Sequence, residues 1–514
     1  MPPTVRHALS FVFLFGIAGA AGYLAESAWS SVTNYQPRQA FREVLPAGEP
    51  LASRVALVVL DGIRLDVSTR MENLQSLAAR GSSGVARTVL PSLSNPSRAT
   101  MVTGAWPEVT GVTTNRAIRP PAIDSIFSLA RQAGVPVAVA GSSFWTRAFG
   151  IEPSRGMRFP KEPDHRAGAT ELAAWQRQVC EAFLPSLTEQ PAGFLVAGLS
   201  AADEAGHEFG GESAAYLEVV DAVDDCLGEL TAALDDGQTT FVVVSDHGHI
   251  QRRGAGGHGG SEEEVLYVPL VLAGPGIGSS SGWRAAMIDV APTICALLGL
   301  PLPATNQGEV LWQALSAPAG LIDSLRARAE EQRQLAAARF PNGTEALSQA
   351  RRGRRLPAFL AILLALGMLA AAASLAAGDR RRLALAMVLY YAAYYALFAA
   401  LGLGYSLSAI SREEYVYNFL GRNVIAAGIA LVVACLFAFR GRPQSGRAIA
   451  PALTILIAST LVLQVAANYY FHGLIMRDSM LDLDAGLKAY LDLSQLLAIA
   501  PVSLVMFLAM RPRR

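Results

Sequence analysis

Residues 241–249 read Phe-Val-Val-Val-Ser-Asp-His-Gly-His, so an apolar run passes directly into polar and charged residues. The apolar part is typical of a strand that is buried on both faces of a sheet. A carboxylate and an imidazole directly after such a strand are hard to explain by packing alone. We therefore predict that Asp246 and His247 follow a central strand and belong to a functional site.

A second apolar run, at residues 55–60, also ends on a carboxylate, Asp61, which is followed by Gly62. In open α/β sheets, ligands bind at the edge formed by the carboxyl ends of the strands. A simple Asp-Gly turn is the alternative explanation for this pair. Asp61 is a candidate ligand when it is taken together with the residues that follow the other strands.

Further apolar runs alternate with amphipathic helical stretches between residues 50 and 315. The predicted strands are Val55–Leu60, Val135–Ala140, Gly193–Leu199, Phe241–Ser245 and Val268–Ala273. The predicted helices include Met71–Arg80, Ala122–Ala133 and Ala214–Leu234. Continuous apolar strands separated by helices imply an α/β domain, with a mostly parallel sheet that is covered by helices on both faces.

Four of the seven histidines lie between residues 207 and 258. Asp203 and His207 are four positions apart, so both can face one point if the segment is helical or a compact loop. His258 stands between two pairs of glycines, which let the backbone approach a ligand closely. Carboxylate oxygen and imidazole nitrogen together suit zinc.

These segments supply six candidate metal ligands: Asp61, Asp203, His207, Asp246, His247 and His258. Six protein ligands are enough for two divalent ions, with three ligands each and open positions for substrate. Two ions about 4 Å apart can hold the attacking and leaving oxygens of an in-line displacement. We expect the neighbouring His249 to support a ligand instead of binding an ion itself.

The nucleophile of such a reaction is expected in residues 91–104, Pro-Ser-Leu-Ser-Asn-Pro-Ser-Arg-Ala-Thr-Met-Val-Thr-Gly. A metal ion can lower the pKa of a serine hydroxyl and thereby activate it. The residues alone leave Ser92, Ser94 and Ser97 as candidates. A serine that caps a helix is the alternative explanation.

The chain has 514 residues and equal numbers of basic and acidic side chains, 42 of each. The chain therefore has no excess positive charge that would indicate a nucleic-acid partner. None of the four cysteines forms a Cys-x-x-Cys pair, which argues against a thiolate zinc site. A disulfide between Cys180 and Cys226 requires an exported domain, and the sequence alone leaves it open.

Apolar runs at both ends predict an integral membrane protein. Residues 1–28 are a signal anchor or a cleaved signal peptide. Residues 50–315 form the catalytic domain, residues 316–355 a polar connector, and residues 356–514 a transmembrane domain. Its five runs lie near residues 356–377, 383–410, 424–439, 448–471 and 491–510.

The arginines predict the orientation of these spans. Loops 378–382 and 440–447 and the tail at residues 511–514 are arginine-rich and fall on one side, which the positive-inside rule places in the cytoplasm. The catalytic domain is then on the exported side, periplasmic or extracellular. The arginine-rich stretch at residues 351–355 falls on the exported side and weakens this argument.

The motifs as a set resemble the alkaline phosphatase superfamily. Their order is Asp61, then Ser94 in Pro-Ser-Leu-Ser-Asn-Pro-Ser-Arg, then Asp203-x-x-x-His207, Asp246-His247 and His258. They look like the type I phosphodiesterase/nucleotide pyrophosphatase branch, and most like the GPI ethanolamine phosphate transferases. Those enzymes are similar in layout too, with an N-terminal span, an exported catalytic domain and several C-terminal spans.

The resemblance implies a role for each residue. It selects Ser94 as the metal-bound nucleophile and Asn115 as the residue that binds a non-bridging phosphate oxygen. It also implies two ions, zinc in this family. Asp203, His207 and His258 hold one of them, and Asp61, Ser94, Asp246 and His247 hold the other.

The expected reaction is cleavage of a phosphodiester through a phospho-serine intermediate, with a lipid or glycan substrate. Transfer of phosphoethanolamine and hydrolysis by water are both open. A sulfatase is an alternative, because Ser94-x-Pro96-Ser97-Arg98 also resembles the sulfatase signature. A transporter or a non-enzymatic scaffold is a further alternative, but the apolar runs contain few polar groups besides Gln464 and Asn468 and no central charges.

Overall fold

The computed structural model describes residues 3–37, 48–116, 119–151, 159–164, 166–188, 193–252, 255–339, 343–375, 379–410, 412, 415–440, 446–476 and 481–509. The chain divides into two compact units, residues 33–342 and residues 1–32 together with 343–514. Parts of the predicted basic loops at 378–382 and 440–447, and the tail at 511–514, lie outside the described residues.

The unit of residues 33–342 contains one sheet, with seven strands among the described residues. The strands are β1 (Arg54–Leu60), β2 (Ser82–Arg87), β3 (Val137–Ala140), β4 (Phe194–Leu199), β5 (Thr239–Ser245), β6 (Tyr267–Ala273) and β7 (Ser280–Ala286). Their order across the sheet is β3-β4-β1-β5-β6-β2-β7. Strand β6 runs antiparallel to both of its neighbours, and the other four pairs are parallel.

Helices cover both faces of this sheet. In the catalytic unit they are α2 (Leu65–Ser68), α3 (Glu72–Ala79), α4 (Ser94–Thr103), α5 (Pro107–Thr110), α6 (Ile126–Gln132), α7 (Phe144–Phe149), α8 (Ala169–Thr188), α9 (Ala201–Phe209), α10 (Ala214–Leu234), α11 (Glu263–Leu266), α12 (Val290–Leu297) and α13 (Ala319–Arg339). Helix α1 (Pro3–Thr33) precedes them and lies almost entirely in the other unit.

Alternate residues of β1 show how the two layers form. Val55, Leu57 and Val59 belong to one core with residues of α4, α6, α7 and α12. Ala56, Val58 and Leu60 belong to a second core with residues of α3, α8 and α10. Because successive side chains of a strand point to opposite faces, a strand that is buried on both faces must be apolar throughout.

The predicted fold class is confirmed, and five of the seven strands coincide with predicted apolar runs. Strands β2 and β7 were not predicted. Their sequences, Ser-Ser-Gly-Val-Ala-Arg and Ser-Ser-Gly-Trp-Arg-Ala-Ala, are polar and contain glycine. They pair with each other at one edge of the sheet, where a strand needs no continuous apolar run.

Cys180 of α8 and Cys226 of α10 form a disulfide, with their Cα atoms 5.6 Å apart. It joins two helices of the same layer. The sequence left this pairing open, and the structure supplies it.

The second unit consists of α1 and five later helices, α14 (Gly343–Leu375), α15 (Arg380–Ala400), α16 (Val416–Phe439), α17 (Gly446–Phe471) and α18 (Leu483–Ala509). Within the described residues, these six helices are long and apolar enough to cross a membrane. Helices α16 and α18 begin about two turns before the apolar runs that predicted them. The missed turns carry polar residues such as Asn423 and Lys488, which form hydrogen bonds to neighbouring helices.

Candidate active site

Three neighbouring strands carry polar side chains to one edge of the sheet. Asp61 follows β1, and Asp246 and His247 follow β5. Helix α9 follows β4 after one residue and contributes Asp203 and His207. Because β4, β1 and β5 are adjacent and parallel, their carboxyl ends meet at this edge.

The first group of side chains, the Asp203 cluster, consists of Asp203, His207, His249 and His258. Its centre is Asp203 Oδ1, which lies 2.8 Å from His249 Nε2, 3.4 Å from His258 Nε2 and 3.5 Å from His207 Nε2. The three histidines are almost completely buried. A carboxylate and three imidazoles around one point form a set of ligand types that suits zinc.

The second group, the Asp61 cluster, consists of Asp61, Ser94, Asp246 and His247. His247 Nε2 lies 3.1 Å from Ser94 Oγ, 3.5 Å from Asp61 Oδ1 and 3.8 Å from Asp246 Oδ1. The same nitrogen is 3.9 Å from Asp203 Oδ1, so the two clusters are directly adjacent. All six predicted metal ligands therefore lie in one connected centre.

Backbone carbonyls orient two of the histidine rings. His247 Nδ1 lies 3.2 Å from Gly248 O, and His258 Nδ1 lies 2.9 Å from Ser92 O. Since a carbonyl only accepts, we assign the proton to Nδ1 in both rings. The Nε2 lone pair of each ring then faces the centre, which is the arrangement of a metal-binding imidazole.

Burial disfavours the protonated form of His258 and His249. It lowers the pKa of His258 well below its ordinary value, and it lowers the pKa of His249 to about 4. His258 Nε2 nevertheless lies only 3.2 Å from His207 Nε2. Within the described part of the chain, His207 Nδ1 is buried without a hydrogen-bond partner. Converging neutral nitrogens and carboxylate oxygens fit divalent metal ions, which neutralise such a set.

The carboxylates respond differently to the same burial. Burial alone would raise the pKa of Asp203, but the histidines around it outweigh that effect and hold this pKa well below its ordinary value. At Asp61, burial raises the pKa well above the ordinary value, Arg98 opposes the rise, and Asp246 adds to it. The Asp61 cluster thus lacks enough positive charge for its carboxylates, a deficit that a bound cation would remove.

The structure separates the three candidate serines. The hydroxyl of Ser92 donates to Gly260 O at 2.8 Å, and that of Ser97 donates to Asp246 O at 2.9 Å. Both side chains are fully buried and hold the backbone of the site. Ser94, at the first position of α4, faces His247 and Asp61.

Asn115 lies next to this nucleophile candidate. Its Oδ1 accepts a hydrogen bond of 2.9 Å from the backbone N–H of Asn95, and its carbonyl accepts one of 3.0 Å from Asn95 Nδ2. The loop that carries Asn115 is therefore joined to the first turn of α4. This contact puts Asn115 beside the residue that follows Ser94, and its predicted role in binding a phosphate oxygen stays a prediction.

The sequence analysis gave no site role to Arg98, which lies one helical turn after Ser94 in α4. Its guanidinium forms an ion pair with Asp61 Oδ2 and a second one with Asp246 Oδ2, the latter at 3.2 Å. The other oxygen of each carboxylate, Oδ1, faces His247. The spacing of four residues from Ser94 was the available signal, since it places both side chains on the same side of a helix.

Two glycines make the close approach of these segments possible. A Cβ atom on Gly62, whose φ is +77°, would lie 2.8 Å from the Cα of Asp203. A Cβ atom on Gly206 would lie 2.4 Å from Cδ2 of His249. Side chains at these positions would push α9 away from the edge of the sheet.

His249 is closer to the centre than the sequence analysis expected. Its Nε2 is in direct contact with Asp203, and it belongs with Asp203, His247 and His258 to a group whose ligand atoms lie within 4.8 Å of one another. A similar group contains Asp61, Asp246 and His247. The geometry is compatible with His249 as a ligand and with His249 as a residue that orients Asp203.

Residues 55–255 match the family model "Type I phosphodiesterase / nucleotide pyrophosphatase". Curated relatives include GPI ethanolamine phosphate transferase 1 of Aspergillus oryzae, 24% identical over 54% of this chain and 32% of the relative. The human protein of that name is also 24% identical, over 50% of this chain and 32% of its own length. The matched region thus spans about a third of these relatives.

A bacterial relative of another kind is the 2,3-bisphosphoglycerate-independent phosphoglycerate mutase of Desulforudis audaxviator, 32% identical over 30% of this chain and 29% of that protein. Similar solved structures include murine ectonucleotide pyrophosphatase/phosphodiesterase 5, with a TM-score of 0.39, 15% identity and coverage of 48% of this chain and 96% of that one. Wild-type alkaline phosphatase PafA has a TM-score of 0.42 and 12% identity, over 53% of this chain and 100% of that one.

Proposed function

We propose that this membrane protein, whose residues 55–255 match the type I phosphodiesterase / nucleotide pyrophosphatase family model, cleaves a phosphodiester by covalent catalysis at Ser94. The group that it transfers is of the phosphoethanolamine type, and the acceptor is a lipid or a glycan. The relatives named GPI ethanolamine phosphate transferases support this choice of group.

The observation that carries the proposal is the environment of the Ser94 hydroxyl. It lies 3.1 Å from His247 Nε2 and 3.5 Å from Asp61 Oδ1, and Ser94 begins a ten-residue helix. The N-terminus of a helix favours negative charge on a nearby phosphate. The hydroxyls of Ser92 and Ser97 point instead to backbone carbonyls and have no access to a substrate.

We assign one divalent ion to Asp203, His207 and His258 and a second to Asp61, Ser94, Asp246 and His247, with zinc as the metal. When bound, such ions lower the pKa of a hydroxyl and neutralise the charge of a transferring phosphoryl group. The Nε2 atoms of His247 and His258, which face the centre, and the buried carboxylates support this assignment.

The reaction consists of two displacements at phosphorus. In the first, Ser94 Oγ loses its proton and attacks phosphorus, and the bond from phosphorus to the alcohol oxygen of the donor breaks as the serine ester forms. The donor oxygen takes up a proton and leaves as the alcohol, which offsets the proton that Ser94 lost. In the second, an acceptor hydroxyl attacks the phospho-serine ester and returns Ser94 to its free form. Asn115, held beside Ser94 through Asn95, donates from its side-chain amide to a non-bridging phosphate oxygen.

The acceptor determines whether the enzyme is a transferase or a phosphodiesterase. A glycan or lipid hydroxyl gives the transferase, and water gives the hydrolase by the same steps. Six apolar helices in the same chain favour a substrate that lies in the membrane. We therefore favour the transferase.

Replacing Ser94 by Ala is expected to abolish turnover of a bis-aryl phosphodiester while metal content and melting temperature stay unchanged, because only the attacking oxygen is removed. The purified full-length protein is assayed with this substrate, with an aryl phosphate monoester and with an aryl sulfate. Mass spectrometry of the wild-type protein after incubation with phosphatidylethanolamine is expected to show phosphoethanolamine on Ser94.

Ser92→Ala is the matched control. It removes a buried hydroxyl from the same loop, so it is expected to lower the melting temperature and retain most of the activity. Near-normal phosphodiester turnover by Ser94→Ala would rule out the covalent mechanism. Preference for the aryl sulfate, or a formylglycine at position 94, would identify a sulfatase instead.

A further inference from the structure

The last membrane helix carries a charged pair. Helix α18 begins at Leu483, so Lys488 and Asp492 lie within a segment that is long and apolar enough to cross a membrane. At 1.5 Å per residue, Lys488 lies about 12 Å and Asp492 about 6 Å from the helix midpoint, in the half of α18 that begins at Leu483. The predicted run at residues 491–510 has no charge at its centre, since Asp492 lies at its edge and Lys488 outside it.

Three helices hold this pair in place. Lys488 Nζ donates to Asp492 Oδ2 on α18 and to Gln464 Oε1 on α17, both at 2.9 Å. Gln495 Nε2 donates to Asp492 Oδ1 at 3.3 Å, and Tyr390 of α15 donates to Gln495 Oε1 at 3.0 Å. Both oxygens of the carboxylate are thus engaged, and the carboxylate is fixed.

The two charges differ in their accessibility. The side chain of Asp492 is 4% exposed, whereas that of Lys488 is 37% exposed. An ammonium group has three N–H donors, and two of them have partners among the described residues. The ring of Tyr405 lies beside the ammonium, with its centroid 5.9 Å from Nζ. The ammonium of Lys488 can therefore donate a further hydrogen bond to a group that lies beside it.

A third N–H of the ammonium without a partner among the described residues favours a further acceptor, and an oxygen that carries negative charge is the strongest one. Both oxygens of Asp492 are already engaged, so this carboxylate does not compete with an incoming ligand for the third N–H. The phosphate of a phospholipid head group is the anion that the membrane itself provides at its surface.

We propose that Lys488, with Gln464, Asp492 and Tyr405 around it, is a binding site for the phosphate of a phospholipid head group. In this Lys488 site, Asp492 and Gln464 aim the ammonium, and its third N–H donates to a non-bridging phosphate oxygen. The inference goes beyond the proposed reaction, since it stands on the membrane helices alone and requires no turnover at Ser94.

The test is native mass spectrometry of the delipidated full-length protein, titrated separately with dioleoylphosphatidylethanolamine, dioleoylphosphatidylglycerol and dioleoylglycerol. We expect both phospholipids to occupy one site that the phosphate-free dioleoylglycerol does not occupy. Lys488→Met should weaken phospholipid binding about tenfold or more, because a hydrogen bond from a charged donor contributes about 1.5–3 kcal/mol. Lys488→Arg should retain most of the affinity.

Arg422→Met is the control, since Arg422 lies on α16 and donates to Leu401 O, so its loss should leave the Lys488 site unchanged. If Lys488→Met fails to fold because Asp492 is left unpaired, the double variant Lys488→Met/Asp492→Leu removes both charges and the same loss of binding is expected. Wild-type phospholipid affinity in folded Lys488→Met or in the folded double variant, or equal binding of dioleoylglycerol, would show that the pair only joins the helices.

Discussion

The site shows how far single residues can be interpreted from sequence. Ser94, Ser92 and Ser97 lie within six positions and are equivalent as residue types. Only the structure shows that the hydroxyls of Ser92 and Ser97 donate hydrogen bonds to the carbonyls of Gly260 and Asp246. The six candidate ligands were predictable because each follows a buried strand or stands in a glycine-rich loop. The role of Arg98 was not predictable from the sequence, because a helix must form before its side chain can reach two carboxylates.

Arg98→Met is expected to destabilise the protein in the presence of a chelator. The substitution leaves Asp61 and Asp246 buried side by side without their cation, and loss of one partner of a buried pair costs about 3–5 kcal/mol. Added zinc should restore much of this loss, because a bound cation neutralises the same carboxylates. The measurements are the melting temperature in detergent, with chelator and with zinc, and the zinc content of the protein.

Two variants control this experiment. Arg70→Met breaks an exposed ion pair with Asp221, which is expected to contribute about 1 kcal/mol or less. His258→Ala removes an assigned ligand, so it should lower the zinc content without removing a cation. If the chelator-treated Arg98→Met protein melts like Arg70→Met, then Arg98 does not hold the two carboxylates in the way the structure indicates.

At the scale of elements, the buried strands were predictable and the edge strands were not. Each of the strands β1, β4 and β5 contains a continuous apolar run, because helices cover both of their faces. Strand β7 lies at the edge of the sheet, and no residue of β7 is fully buried. A continuous or periodic apolar pattern is therefore a sign of burial, and a strand or helix that is partly exposed shows this pattern only weakly. The same limit applies to α16 and α18, whose first turns carry polar side chains.

The disulfide between α8 and α10 is expected to stabilise the layer of helices on one face of the sheet. It closes a sequence separation of 46 residues between two buried cysteines. Replacing both cysteines by Ala should therefore cost about 2–4 kcal/mol and lower the melting temperature. Cys295→Ala is the control, because that buried cysteine has no disulfide partner. Alkylation of Cys180 and Cys226 in unfolded protein without reductant would show that the native chain lacks the bond.

At the scale of the whole molecule, two observations bear on the orientation in the membrane. Disulfides persist in oxidising compartments, so the Cys180–Cys226 bond favours an exported catalytic unit. By the positive-inside rule, the arginines in residues 351–355 argue against that orientation, but in the structure they are part of α14. The guanidinium of Arg354 lies within 2.8 Å of the point where a Cβ of Gly473 would be, at the end of α17. A cation at the C-terminal end of a helix is stabilised there whichever side of the membrane it occupies.

We therefore predict that a reporter enzyme inserted near residue 345 is active only when it is outside the cytoplasm, and that the same reporter fused after residue 514 is active only inside. Six crossings place the first residue and the last on the same side, and the connector between the catalytic unit and α14 on the opposite side. The arginine-rich loops then lie in the cytoplasm, as the positive-inside rule requires.

Paired fusions with a periplasmic-type and a cytoplasmic-type reporter at both positions measure this directly. Opposite signals at the two positions are expected. A cytoplasmic signal near residue 345 would reverse the orientation, and equal signals at both positions would mean that one of the five helices α14 to α18 does not cross.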